Sequence, residues 1–211
     1  MDRVKEFISA ILAGMCIGFA GVVSLRQDDP VIASFLFCIG MFGIVVFGLH
    51  LFTGRVGYLP HRKHNYIAEL CVVWFGNLVG VHLMAEAIKL TRIYSTIEEH
   101  ARILSSRKLD DTLLSILILS FFCGVLTFMA VEAFKNKEIH HALKFPAVFL
   151  PIMVFILSGY EQVVANMFYF SLVAVWDFNT WIHVIVMTIG NSLGGMFIPF
   201  YLKYFRLPIS D

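Results

Sequence analysis

Charge is scarce in this 211-residue chain. Asp, Glu, Lys and Arg make up only 15% of it and nearly cancel, leaving a formal net charge of +1. That balance argues against nucleic acid as a partner, which would need a basic face. A disulfide framework is lacking as well: Cys16, Cys38, Cys71 and Cys123 all fall inside apolar runs and read as reduced packing residues. The apolar segment 7–25 runs into "RQDD" without an A-x-A-like cleavage site, so it is kept as a span of the mature protein. The histidine pairs in "HRKH" (61–64) and "EIHH" (138–141) have no nearby set of acidic or cysteine ligands. They read as anchoring residues, and no metal or other cofactor is expected.

What the chain has in excess is apolar surface. At 59% hydrophobic residues and a mean hydropathy of +0.80 it exceeds what a soluble domain buries, so lipid is its solvent. Six apolar runs occur, at roughly 7–25, 31–53, 66–90, 112–134, 145–175 and 180–204. Each is near the length that crosses about 30 Å of hydrocarbon. The expected architecture is therefore a single all-α membrane domain over 1–211. With the N-terminus inside, the inner segments carry Arg3, Lys5, Arg55, Arg62, Lys63, Lys135, Lys137, Lys144, Lys203 and Arg206. The outer ones carry Arg26, Lys89, Arg92, Arg102, Arg107 and Lys108, diluted by Asp28, Asp29, Glu98, Glu99, Asp110 and Asp111. The excess of inner cations places both termini in the cytoplasm, with the protein in the plasma (inner) membrane. Residues 94–111 form the one substantial external loop, polar and expected to be partly helical.

Two phrases match across the chain: "FGNLVGVHLM" (75–84) in the third span and "IGNSLGGMFI" (189–198) in the sixth. Three spans per half mean that the copies enter the membrane in opposite directions. The halves, about 1–93 and 112–211, would then form an inverted 3+3 repeat with its permeation site near the midplane. Gly76, Gly80, Gly190 and Gly194 also fit close helix packing, while Asn77 and Asn191 must face a polar interior.

Two runs are interrupted. A continuous helix from Val31 to Pro60 would measure about 45 Å, too long for the bilayer, and "LHLFTGRVG" breaks it. The run from Leu143 to Val175 is interrupted at "SGYEQ", inside "LSGYEQVVANMF" (157–168). Helices 2 and 5 are thus expected to be broken, their freed backbone groups lining a cavity. Glu161, beside the second break, is expected to cap free backbone N–H groups or pair with loop donors, and Asn166 to tie the loop to its helix.

These stretches resemble the formate/nitrite transporters. The counterparts here are "HLFTGR" (50–55), "FGNLVG" (75–80), "GYEQVVANM" (159–167) and "GNSLGG" (190–195), four motifs in the family's order over nearly the whole chain. The resemblance implies an aquaporin-like fold of six helices, two of them broken, assembled as a homopentamer with a pore in each subunit. It implies that Thr53 faces the pore centre. Phe37, Met41, Phe52 and Phe155 then form two apolar constrictions, Lys144 concentrates anions at a vestibule, and Asn77 and Asn191 are pore-side anchors of the broken loops. Two departures stand out. The family usually has histidine where this chain has Gln162, and a Cys-Asn pair where it has Cys123-Gly124, which would cost one buried hydrogen-bond partner.

An unpaired anion crosses an apolar slit at great cost, so such a pore suits a small monovalent anion passing as its neutral weak acid: formate, nitrite, hydrosulfide or a short carboxylate. Gln162 has no proton to exchange near neutral pH, so passage is expected to be less proton-coupled than in relatives with histidine. His50, where relatives often carry an acidic residue, is a candidate compensating group. "TGRVGYLP" differs from a potassium filter by Arg55 and Leu59 and adjoins a basic cluster. The rival readings are a channel for a small neutral solute and, from another class, an intramembrane enzyme, for which Ser158 near Glu161 is the candidate nucleophile.

Overall fold

Among the described residues, four helices are long and apolar enough to cross a membrane: α1 (Arg3–Leu25), α4 (Asn65–Lys89), α6 (Leu113–Lys135) and α9 (Phe178–Phe205). They belong to a computed structural model that describes residues 3–205. Arg206, counted above among the inner cations, lies outside the described residues. Between the long helices lie α2 (Pro30–Val46), α3 (Phe52–Arg55) with a 3₁₀ turn (Val56–His61), α5 (Tyr94–Leu109), α7 (His141–Leu157) and α8 (Val163–Leu172). The second and fifth apolar runs are each two helical pieces, as their length and glycines require. The segment expected as a partly helical loop is a 16-residue helix, α5. It buries Ile97 and Ala101 and turns Glu98, Glu99 and Arg102 outward.

The two interruptions have the same local cause. Gly48 follows α2 at φ +65° and Gly159 follows α7 at φ +69°, a left-handed conformation that glycine adopts without a Cβ clash. The chain then folds back on its helix: Leu49 N donates to Ile44 O and Tyr160 N to Phe155 O, both at 2.9 Å. Helix starts are likewise encoded locally. Asp29 Oδ1 accepts from Val31 N and Ile32 N ahead of Pro30, and Thr112 Oγ1 accepts from Ser115 N.

Two crossings form the framework: α1 packs against α4, and α6 against α9. Both depend on glycine. A Cβ at Gly80 would lie 2.1 Å from Ile11 O, and one at Gly194 would lie 1.9 Å from Phe121 O, so only hydrogen fits at either position. At Gly124 a Cβ would meet Asn191 O at 2.3 Å. The expectation that Gly124 merely forfeits a hydrogen-bond partner is therefore revised: α6 and α9 approach too closely there to admit an asparagine. Outside, Phe19, Phe75, Leu83 and Phe197 are more than half exposed, as suits a lipid-facing surface. Cys71 lies on this outer side, exposed and not packed.

Past α8, Ala174 takes φ +56° as Val175 N closes onto Phe170 O at 3.1 Å. An L-residue with a Cβ pays about 1 kcal/mol in this region. Ala174→Gly is expected to raise the midpoint of thermal unfolding in detergent by a few degrees; a lowered midpoint would count against strain at this turn.

Candidate functional site

Each break is held by one asparagine, and the two arrangements match atom for atom. Asn77 Nδ2 donates to Ala10 O (2.8 Å) and His50 O (2.9 Å), while its Oδ1 accepts from Phe52 N (2.8 Å). Asn191 Nδ2 donates to Ser120 O (2.7 Å) and Glu161 O (2.8 Å), while its Oδ1 accepts from Val163 N (2.9 Å). Both asparagines are wholly buried and line neither cavity described below. A carboxamide fits this role because it offers donors and an acceptor at once, and a helix crossing a broken loop leaves both kinds of backbone group without partners.

Between the breaks, Gln162 meets Thr53. Gln162 caps α8: its Oε1 accepts from Ala165 N at 2.5 Å. Because a backbone N–H needs an oxygen, this contact orients the amide and turns its NH₂ toward Thr53, where Nε2 donates to Oγ1 at 3.1 Å. The pair therefore presents a second amide N–H and the threonine hydroxyl proton, two donors, while the amide oxygen is occupied. Thr53 is wholly buried and Gln162 nearly so.

Two cavities reach toward this pair from opposite ends of α2. One, of about 310 Å³, is lined by Ala33, Phe37, Lys108, Phe155 and Gln162. The other, of about 440 Å³, is lined by Ile44, Leu51, Gly54, Arg55, Arg62 and Lys135. Phe37 and Phe155 close on each other edge to face with ring centroids 6.1 Å apart, narrowing the first cavity beside Gln162. Met41 and Phe52 are buried but line neither cavity; Leu51, next to Phe52, contributes the apolar wall of the second.

In each cavity one lining cation is paired with a buried carboxylate that does not line it. In the Lys108 cavity, Glu161 Oε2 accepts from Lys108 Nζ (2.6 Å) and from Asn166 Nδ2 (2.6 Å), and Asn166 Nδ2 also lies 3.1 Å from Met187 Sδ. Glu161 thus pairs with a cation on α5 through its side chain and with Asn191 through its carbonyl, instead of capping backbone N–H groups. Asn166, on α8, donates to this loop carboxylate. In the Arg55 cavity, Arg55 Nη1 donates to Glu6 Oε1 at 2.8 Å, and His50 Nδ1 stands 3.9 Å from the same oxygen.

The residues singled out in the sequence are thus only partly brought together. Gln162, Phe37 and Phe155 line one cavity, Thr53 bonds to Gln162 but lines neither cavity, and His50 lines the Arg55 cavity. Lys144 lines neither cavity: its Nζ donates to Phe134 O at 2.7 Å and lies over the Phe134 ring. The buried cation is Lys108, which the chain presents as one charge among several in a polar segment. The available signal was its place on the apolar stripe of α5 with Ile97, Ala101 and Ser105.

The fold and these motifs have known counterparts. The family model described as Formate/nitrite transporter matches residues 1–205. The nitrite transporter NirC of Escherichia coli (strain K12) is 26% identical over 220 residues, spanning 90% of this chain and 78% of NirC. Among solved structures, an FNT family ion channel aligns with a TM-score of 0.85 at 23% identity, covering 98% of this chain and 92% of that one. A pentameric formate channel with formate bound aligns with a TM-score of 0.77 at 23% identity, over 97% and 98% respectively. These relatives are transporters and channels, and the extent of the match makes this chain a membrane protein of the formate/nitrite transporter family.

Proposed function

We propose that the protein is a channel through which a small monovalent anion, or its weak acid, crosses the membrane between the Lys108 and Arg55 cavities. The observation that carries this reading is the Thr53–Gln162 pair. Its free groups are chiefly donors, as a solute with oxygen or sulfur lone pairs requires, and the Phe37–Phe155 and Leu51 walls around it reject hydrated ions. The N-terminus of α8 adds a partial positive charge at the same place. An anion relieved of its charge before the apolar wall pays far less to pass.

The same reading takes the chain as six spans in an inverted repeat, with α2–α3 and α7–α8 as the broken ones. The paired asparagine geometry and the two left-handed glycines support this. It takes the assembly as a homopentamer, on the analogy of the pentameric formate channel, within the lipid of the plasma membrane and with both termini cytoplasmic. Gln162 makes passage less dependent on a protein-borne proton.

The test is flux into proteoliposomes of formate, nitrite, hydrosulfide and a neutral solute of similar size, across a range of pH. The anions and their acids are expected to pass and the neutral solute to be slow; the reverse order would end this reading. Gln162→His is expected to steepen the pH dependence of flux around the ordinary histidine range, near 6.5. An identical pH profile in the two proteins would remove position 162 as the element that sets proton dependence.

A further inference from the structure

Arg55 stands two residues beyond Thr53 and lines the larger cavity. A free guanidinium there would grip a carboxylate-like anion with two parallel hydrogen bonds. Yet this guanidinium is engaged on three sides by the protein. Glu6 Oε1 on α1 takes Nη1 at 2.8 Å, Glu69 Oε2 on α4 lies 3.5 Å from Nη2, and Tyr66 Oη takes Nε at 3.4 Å. The Tyr66 ring lies beneath it, 5.5 Å from ring centre to guanidinium carbon. Glu6 is 1% exposed and does not line the cavity, whereas Arg55 lines it and keeps 17% of its side chain exposed. The remaining cations of this mouth, Arg62 and Lys135, stand with Glu132, whose Oε2 accepts from Tyr58 Oη at 2.8 Å. Three cations are thus set against three carboxylates, Glu6, Glu69 and Glu132.

We propose that Glu6 is a specificity-determining residue of the channel: by occupying Arg55, it keeps the Arg55 cavity from binding the permeating anion too tightly to release it. A conducting site must hold its ion strongly enough to admit it and weakly enough to let it go. An uncompensated arginine lining a cavity on the path would satisfy only the first condition. Burying a carboxylate costs several kcal/mol unless a cation and hydrogen bonds offset it, so a fully buried Glu6 is a costly feature for packing alone. Its effect on Arg55 supplies a function for it.

The inference rests on the anion-channel reading and is tested by equilibrium exchange of labelled formate, with equal concentrations on both sides of the proteoliposome so that protein orientation does not matter. Nitrite or hydrosulfide serves as the probe if the wild type exchanges it better. Glu6→Gln keeps an oxygen for Arg55 Nη1 and removes only the charge. It is expected to lower the half-saturating concentration about five- to tenfold, the scale of one charge a few ångströms away under water-like screening, and to lower the maximal exchange rate. Adding Arg55→Gln to Glu6→Gln is expected to bring half-saturation back to the wild-type range. A purely structural role would reduce the amount of active protein without moving half-saturation, and an unchanged or raised value in Glu6→Gln overturns the proposal. If Glu6→Gln is not recovered folded, Glu69→Gln removes the more distant carboxylate, and the same direction of shift, about twofold, is expected; no shift there is equally fatal. Failure of the wild type to exchange any of the three anions would instead overturn the channel reading itself, and this inference with it.

Discussion

Asn191→Leu is expected to yield little or no folded protein, and any that is recovered should melt far below the wild type. Leucine approximates the shape of the side chain but strands two buried loop groups, the Val163 N–H and the Glu161 carbonyl, and removes a second bond to the Ser120 carbonyl, which keeps its place in the helical ladder of α6. A buried polar group left without a partner costs about 1–3 kcal/mol, and an N–H at a helix start has no partner within its own helix. The sum, about 3–5 kcal/mol after relaxation, is a large part of the margin that holds a domain folded. Asn77→Leu is expected to behave alike, because it strands the Phe52 N–H and the His50 carbonyl and removes a second bond to the Ala10 carbonyl. Asn191→Asp keeps the acceptor for Val163 but loses both donors, so it should also fail. Size-exclusion profiles and thermal unfolding in detergent decide the matter. A monodisperse Asn191→Leu melting within a few degrees of the wild type would show that the loop is held by something other than this carboxamide.

Lys108→Met is the second large effect. It leaves the Glu161 carboxylate, with its side chain 6% exposed, facing only the Asn166 amide. Removing one partner of a buried ion pair costs about 3–5 kcal/mol, because the remaining charge stays where water cannot reach it. The companion Lys108→Met/Glu161→Gln removes both charges and keeps an acceptor for Asn166, so it is expected to recover most of the lost stability. Comparing the two single variants with the double one in thermal unfolding gives the coupling directly. If the double variant is no more stable than Lys108→Met, the pair is not what holds the second break against α5. Flux through the stable double variant then reports what Lys108 does for the passing solute, separately from folding.

Much of this molecule was legible before its structure. The near-continuous apolar composition required a lipid-embedded bundle, and the runs 31–60 and 143–175 were too long to be single helices. Gly-Asn pairs at 76–77 and 190–191 announced matched crossings. The four motif stretches indicated the family. Such features are local: a left-handed glycine, an Asp-Pro helix start or an apolar period acts through neighbours close in sequence.

The site resisted reading wherever partners come from distant parts of the chain. Lys144 and Lys108 are both lysines near apolar segments, and only the docking of α5 on α8 puts Lys108, rather than Lys144, against Glu161. Phe52 and Leu51 are equally apolar neighbours, and the turn after Gly48 decides which of them faces the cavity. Gly124 read as a lost hydrogen-bond partner until the close approach of α9 supplied its reason. Glu6 was one acidic residue in a charged N-terminal stretch until Arg55, 49 residues away, came within 2.8 Å. Sequence alone determined the membrane character, the all-helical class of fold and the family, because those follow from composition and short-range patterns. Only the tertiary structure decided which charges meet and which donors remain free, because in a low-dielectric interior a few ångströms separate a stabilised pair from a costly isolated ion.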